Sequence, residues 1–261
     1  MKTDLSKINK RYIGSLVIVP IIISLIVGGL LLKAMILCIT IFSLIEFSNA
    51  LKYKKINVNK YLIIFFTIIY YIVGFEYVDI LVFMFFIFLL LYTLNKNNNI
   101  VDISLSFISI FYIVIPFSFI FILNEKNNYL SWIIFLSAWS TDTMAYFIGK
   151  NFGKHKISQN ISPNKTLEGF IAGVISCVLV ISIYGFIFND KLNISILNLV
   201  FLSIFTGIVG QIGDLIASSI KRFAEIKDFG NLIPGHGGIL DRFDSILMIS
   251  IVVFVFSQIL M

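Results

Sequence analysis

Apolar residues along this chain fall into nine runs, at about 12–32, 34–51, 61–75, 78–94, 103–123, 129–149, 167–188, 195–217 and 239–260, separated by short polar stretches. Most approach the roughly 20 residues a helix needs to cross the hydrocarbon core of a bilayer. The pattern predicts an all-α, polytopic integral membrane protein of about nine transmembrane helices. It divides into N-terminal helices over 1–128 and a C-terminal region over 129–261 that carries most of the polar motifs. The third and fourth runs are short, and only Lys33 separates the first from the second, so a fused or re-entrant element is open there. The first run is too long for a signal-peptide core and no small-residue cleavage site follows it, so it is expected to be retained.

Composition agrees. The chain is 59% hydrophobic and 13% charged, where soluble proteins carry about 25% charged residues. Cys38 and Cys177 sit inside apolar runs and read as small buried hydrophobes rather than metal ligands. The net charge of +6 does not point to nucleic acid, because no cationic stripe with interleaved aromatics stands outside the apolar runs. Membrane orientation explains it better. With the N-terminus in the cytoplasm, all but Lys33, Lys126 and Lys191 of the 20 basic residues fall on the cytoplasmic side, as the positive-inside rule requires.

One polar stretch stands apart. Ser218 to Asp244, between the last two runs, holds Lys221, Arg222, Lys227 and Arg242 against Glu225, Asp228, Asp241 and Asp244, with Gly235, Gly237 and Gly238 around His236. A solvated loop is the plain reading. The mixture argues for more: cations bind phosphate oxygens, carboxylates hold a divalent metal, and glycines let backbone N–H groups approach an anion. Asp214 ends the eighth run and Asp241 begins the ninth, so they stand at the two sides of the loop, where a hairpin would bring them together around one ion. Asp244 lies at i+3 from Asp241 on the same helix face.

This stretch resembles the signature of the CDP-diglyceride synthase (phosphatidate cytidylyltransferase) family. The match starts at Ser218, runs through Lys221-Arg222 and Lys227-Asp228, and continues with Pro234, His236-Gly237-Gly238, Asp241-Arg242 and Asp244. Further matches lie upstream at Gly213-Asp214-Leu215, at Ser162-Pro163 with Lys165-Thr166, and at Asp142 with Ala145-Tyr146. The resemblance covers the C-terminal half from about Ser140. It departs from the pattern at Ala217, where an acid is expected, which weakens a two-metal mechanism.

The resemblance implies a membrane nucleotidyltransferase of phospholipid biosynthesis that joins CTP and phosphatidate to give CDP-diacylglycerol and pyrophosphate. It implies Mg²⁺ held by Asp214 and Asp241, with Asp244 a further candidate ligand. Lys221, Lys227 and His236 join the two aspartates as catalytic residues. Substrate binding falls to Asp142, Ser162, Lys165, Thr166, Ser218, Arg222, Asp228, Gly237, Gly238 and Arg242. The site is expected at the cytoplasmic face of a multi-pass plasma-membrane protein, with the bilayer as partner, no nucleic acid, and a homodimer left open. A CTP-dependent lipid kinase acting on a polyprenol-type alcohol is the nearest rival. A secondary transporter is remote, because the polar groups cluster at one interface and no repeat is visible.

Other features read as structural. Gly149, Gly153 and Lys154 suggest a phosphate-binding loop, but the spacing is one residue short and His155 stands where Ser or Thr is required. Gly169 and Gly173, and Gly207, Gly210 and Gly213, line helix faces suited to close packing. Glu46, an acid inside the second run, has no explanation at this level.

Overall fold

The computed structural model describes residues 18–94, 99–233, 235 and 237–260. Among them, six helices are long and apolar enough to cross a membrane: Gly29–Lys52, Phe75–Tyr92, Ile100–Lys126, Leu167–Ile187, Ile196–Phe223 and Leu240–Ile259. The protein is thus an all-α, polytopic membrane protein. Three of the nine predicted runs take other forms. Gly28 (φ 68°) and Gly29 (φ 55°) occupy the left-handed region and end α1 (Ile18–Val27), so the rest of the first run joins the second as α2 (Gly29–Lys52). Lys33 does not divide them. Its ammonium lies 5.5 Å and 5.8 Å from the Phe75 and Phe121 ring centres, a cation–π cradle that carries the charge within a helix. The third run forms the 14-residue α3 (Lys60–Val73), which at 1.5 Å per residue spans about 21 Å. The sixth forms α7 (Asn128–Phe152), long enough but interrupted by Ser137, Ser140, Thr141, Asp142 and Thr143.

The chain divides into two compact units. One holds the described residues up to Ile122 together with Phe223–Arg242, the other Leu123–Arg222 and the residues from Phe243 onward. The first unit contains α1 to α3, a 3-10 turn (Phe75–Tyr77), α4 (Val78–Tyr92), α5 (Ile100–Ser109) and a π-helical segment (Ile110–Val114) that opens α6 (Ile115–Lys126). Asn59 caps α3 by accepting from the Leu62 N–H at 3.2 Å, and Asn99 caps α5 by accepting from Val101 at 3.0 Å. Its core is aromatic. Tyr70 and Tyr71 are fully buried, and their hydroxyls pair with Ser118 (2.9 Å) and Thr40 (3.4 Å), so neither phenol is left unsatisfied in apolar surroundings.

The second unit is built on α7 and α8 (Leu167–Ile187), joined by an antiparallel hairpin of β1 (Lys156–Ser158) and β2 (Ser162–Thr166). The short α9 (Asn189–Leu192) leads to α10 (Ile196–Phe223), and α11 (Leu240–Leu260) belongs to this unit from Phe243 onward. The glycine faces are contact faces, as their spacing predicts. A Cβ on Gly169 would meet the Ala145 carbonyl at 2.6 Å, and one on Gly207 would meet the Val174 Cα at 3.2 Å. On Gly213 it would meet the Asp244 carbonyl at 2.9 Å. Bare backbone here lets α8 sit against α7 and lets α10 sit against both α8 and α11.

Candidate active site

In the second unit, a cleft of about 260 Å³ opens where α7, β2, α8 and α10 meet, lined by Asp142, Tyr146, Ser162, Asn164, Lys165, Thr166, Gln211 and Asp214, among others. Its motif residues are drawn from three separated stretches of sequence. Their positions follow from the local fold. Thr166 ends β2 and caps α8, its hydroxyl accepting from the Gly169 N–H at 3.2 Å. Gly149, Gly153 and Gly169 leave room around that hydroxyl, since a Cβ on any of them would lie within 3.1 Å of it. Thr166 is therefore only 2% exposed and serves the fold at the cleft's edge. Lys165, one residue earlier, faces the opposite way. Its ammonium lies 2.8 Å from Asp214 Oδ2 and donates to the Gln211 carbonyl at 3.1 Å.

Asp214 also accepts from the Ser218 hydroxyl, one turn along α10, at 3.4 Å. Arg222, a further turn on, donates its Nε–H to the Ile161 carbonyl in the hairpin turn at 3.3 Å. Asp244 on α11 is buried, with Asp214, Lys221 and Asp142 as its charged neighbours. The unit thus gathers three carboxylates and two lysines, with Ser162 and Ser218 beside them. Ala217, where the family pattern expects an acid, is fully buried.

The signature loop lies in the first unit and is organised by two carboxylates. Asp241 Oδ2 accepts from the Phe229 N–H at 2.8 Å and the Gly238 N–H at 2.9 Å. Glu46, on α2, accepts from Ile239 at 3.0 Å and Leu240 at 2.9 Å. Gly237 takes φ +83°, and a Cβ there would meet Asp241 Oδ2 at 3.0 Å and Asp228 Cβ at 3.4 Å. Ile233 and Gly237 pair across the loop at 2.9 Å. The glycines do bring backbone N–H groups to an anion, and the anions they meet here are the protein's own. Lys227, Asp228 and Arg242 are exposed. His236 and Pro234 lie outside the described residues. Asp214 and Asp241, expected to share one ion, belong to different units.

Glu46 is the organising residue that sequence reasoning missed, and its only signal was an acid within an apolar helix. Glu225 pairs with Lys54, whose ammonium holds that carboxyl below its usual range. The glycine-lysine stretch at 149–155 is closed by Glu168, whose carboxylate accepts from the Lys154 and His155 N–H groups at 3.1–3.3 Å and pairs with the His155 ring at 2.6 Å. Amides that a phosphate loop would offer are already used. A cavity of about 300 Å³ in the first unit, lined by Lys52, Asn59, Lys60, Tyr92 and Asp102, among others, contains none of the motif residues. Among the described residues no three His, Cys, Asp or Glu side chains form a ready metal cage.

Known proteins resemble this chain over almost two thirds of its length. It is 41% identical over 170 residues to a phosphatidate cytidylyltransferase of Staphylococcus saprophyticus subsp. saprophyticus, and 42% identical over 170 residues to that of Staphylococcus haemolyticus; each match covers 65% of both chains. It is 40% identical over 166 residues to the Bacillus subtilis phosphatidate cytidylyltransferase, a match covering 62% of this chain and 61% of the relative. The chain thus spans just under two thirds of the length of these relatives. A family model described as the cytidylyltransferase family matches residues 9–260, nearly the whole sequence, and the chain belongs to that family.

Proposed function

We propose that this protein transfers the cytidylyl group of CTP to phosphatidate, giving CDP-diacylglycerol and pyrophosphate. The observation that carries the reading is the cleft of the second unit, where Lys165 meets Asp214 beside Asp142 and Ser162. The names of its relatives supply the substrates. A phosphate oxygen of phosphatidate attacks the α-phosphorus of CTP, the new P–O bond forms, and the bond to the β-phosphate breaks with its electrons leaving on pyrophosphate. No strong protein base is required, because the second pKa of a phosphomonoester is about 6 and the nucleophile is already an oxyanion near neutral pH. What remains is positioning and charge neutralisation. Lys165, Lys221 and Arg222 supply cations for the phosphates in the second unit.

The donor set of the second unit suits a hard divalent ion. Asp142, Asp214 and Asp244 outnumber Lys165 and Lys221, every acidic donor is oxygen, and each carboxylate oxygen has two lone pairs. Asp214 and Asp244, which lie close enough to interact, would hold Mg²⁺, and the ion would supply charge to offset the triphosphate. Asp241, whose Oδ2 already receives two amides, acts through the loop it shapes. The basic-residue asymmetry supports a cytoplasmic N-terminus and signature loop at the plasma membrane, where CTP is available.

Purified protein supplied with phosphatidate, Mg²⁺ and CTP labelled at either the α- or the γ-phosphate tests this reading. Lipid-borne label from the α position only is expected. Label from the γ position only, with an alcohol as acceptor, would instead make the protein a lipid kinase.

A further inference from the structure

We propose that Glu46 is a positioning residue of this enzyme, and that its carboxylate fixes the signature loop at the start of α11. The proposal rests on the cytidylyltransferase reading for its catalytic meaning, and on geometry alone for the contact. Glu46 lies 193 residues from Ile239 in sequence, yet its two carboxylate oxygens accept separately from the Ile239 and Leu240 N–H groups at 3.0 Å and 2.9 Å. It is buried, at 8% exposure. The loop is shaped to admit it: a Cβ on Gly230 would lie 2.8 Å from the Glu46 Cδ, and one on Gly238 would lie 2.6 Å from it. No larger residue fits at either place while the carboxylate stays where it is.

Together with Asp241, Glu46 accounts for three consecutive amides, those of Gly238, Ile239 and Leu240. Consecutive N–H groups at a helix start form an anion seat. Here that seat is filled internally, by a carboxylate from α2. Asp241 sits one residue into the helix whose first amides Glu46 holds, so displacing Glu46 moves Asp241. The Glu46→Gln change would keep one acceptor and set an NH₂ group against the second N–H. The Glu46→Asp change would keep both acceptors but withdraw them by one methylene.

The test uses the full chain, purified in detergent, as Glu46→Asp, Glu46→Gln and Glu46→Ala. Backbone hydrogen exchange over 229–241 and steady-state kinetics with CTP and phosphatidate are measured on the folded fraction. Exchange of the Gly238 to Leu240 amides should rise in Glu46→Gln and Glu46→Ala, while exchange over 167–187 stays at the wild-type rate. The Glu46→Gln kcat should fall by about 100-fold, the scale set by a misplacement of about 1 Å, with KM for CTP little changed and Glu46→Asp intermediate. If Glu46→Gln does not fold, Glu46→Asp carries the test, its partial loss of both protection and kcat being the expected result. Wild-type protection of the loop in the folded variants would overturn the contact. Loosened amides with wild-type kcat would overturn the positioning role. If the wild-type protein makes no CDP-diacylglycerol, the functional reading fails, and the exchange data alone still decide whether Glu46 holds the loop.

Discussion

Lys165 and Asp214 form a 2.8 Å ion pair between β2 and α10, with side chains 22% and 34% exposed. The pair gives the cleft its central charge arrangement. Lys165 is presented by a strand whose next residue is locked as a helix cap, so the ammonium reaches Asp214 without ordering a flexible loop.

Removing either partner should be severe. Asp214→Asn and Lys165→Met are each expected to lower kcat/KM by about 30-fold or more, since truncating one member of a hydrogen-bonded charge pair costs about 2 kcal/mol even at the lower end of the range for buried pairs. The double variant should lose less than the two single losses added together, because the residues share one interaction. Full additivity in the steady-state rates would show that Lys165 and Asp214 act independently.

The signature loop separates two kinds of acid. Asp241→Asn keeps the size of the side chain but removes the charge that strengthens the hydrogen bonds from Phe229 and Gly238, and it should abolish measurable turnover while the protein still purifies as a single species. Glu225→Gln should retain most activity, because the pair with Lys54 is exposed and screened. The lowered Glu225 pKa means that any stabilisation from this pair is fully present above the ordinary carboxylate value and is lost as pH falls from there through the lowered one. A Glu225→Gln enzyme as impaired as Asp241→Asn would break the distinction.

Topology can be read with an impermeant thiol reagent on intact cells, in a background lacking Cys38 and Cys177. Cysteines at Lys156 and Lys227 should be protected, and cysteines at Lys191 and Asn127 should be labelled. The last two must agree, since the Asn127 side chain donates to the Lys191 carbonyl at 2.8 Å. Lys191 is the cleaner site, because Asn127 also caps α7 by accepting from Tyr129 at 3.0 Å. Labelling at 227 without labelling at 191 would reverse the proposed orientation.

Much of this was legible in sequence because it is local. Long apolar runs became helices, and the glycine faces became helix contacts. The family resemblance singles out Asp142, Ser162, Lys165 and Asp214, and Asp142 stands out also because an acid within an apolar run needs a polar partner; the Lys165–Asp214 pair itself was not foreseen. What escaped was non-local or without period. The partners of Glu46 lie 193 and 194 residues away, and no spacing rule connects them. The break at Gly28 was masked by continuous hydrophobicity on both sides, and the hairpin at 156–166 is too short to show an alternation.

The buried hydroxyl of Thr166 has a consequence for how the Lys165 ammonium is held in place. A free lysine side chain samples many rotamers, and immobilising it upon substrate arrival would subtract from binding. Here the neighbouring backbone is fixed when the hairpin and α8 form, with three glycines closing around the threonine. With the ammonium also paired to Asp214 and the Gln211 carbonyl, the ordering cost at 165 is met once, during folding. Loosening Thr166 would therefore free the Lys165 ammonium without changing its charge or that of Asp214.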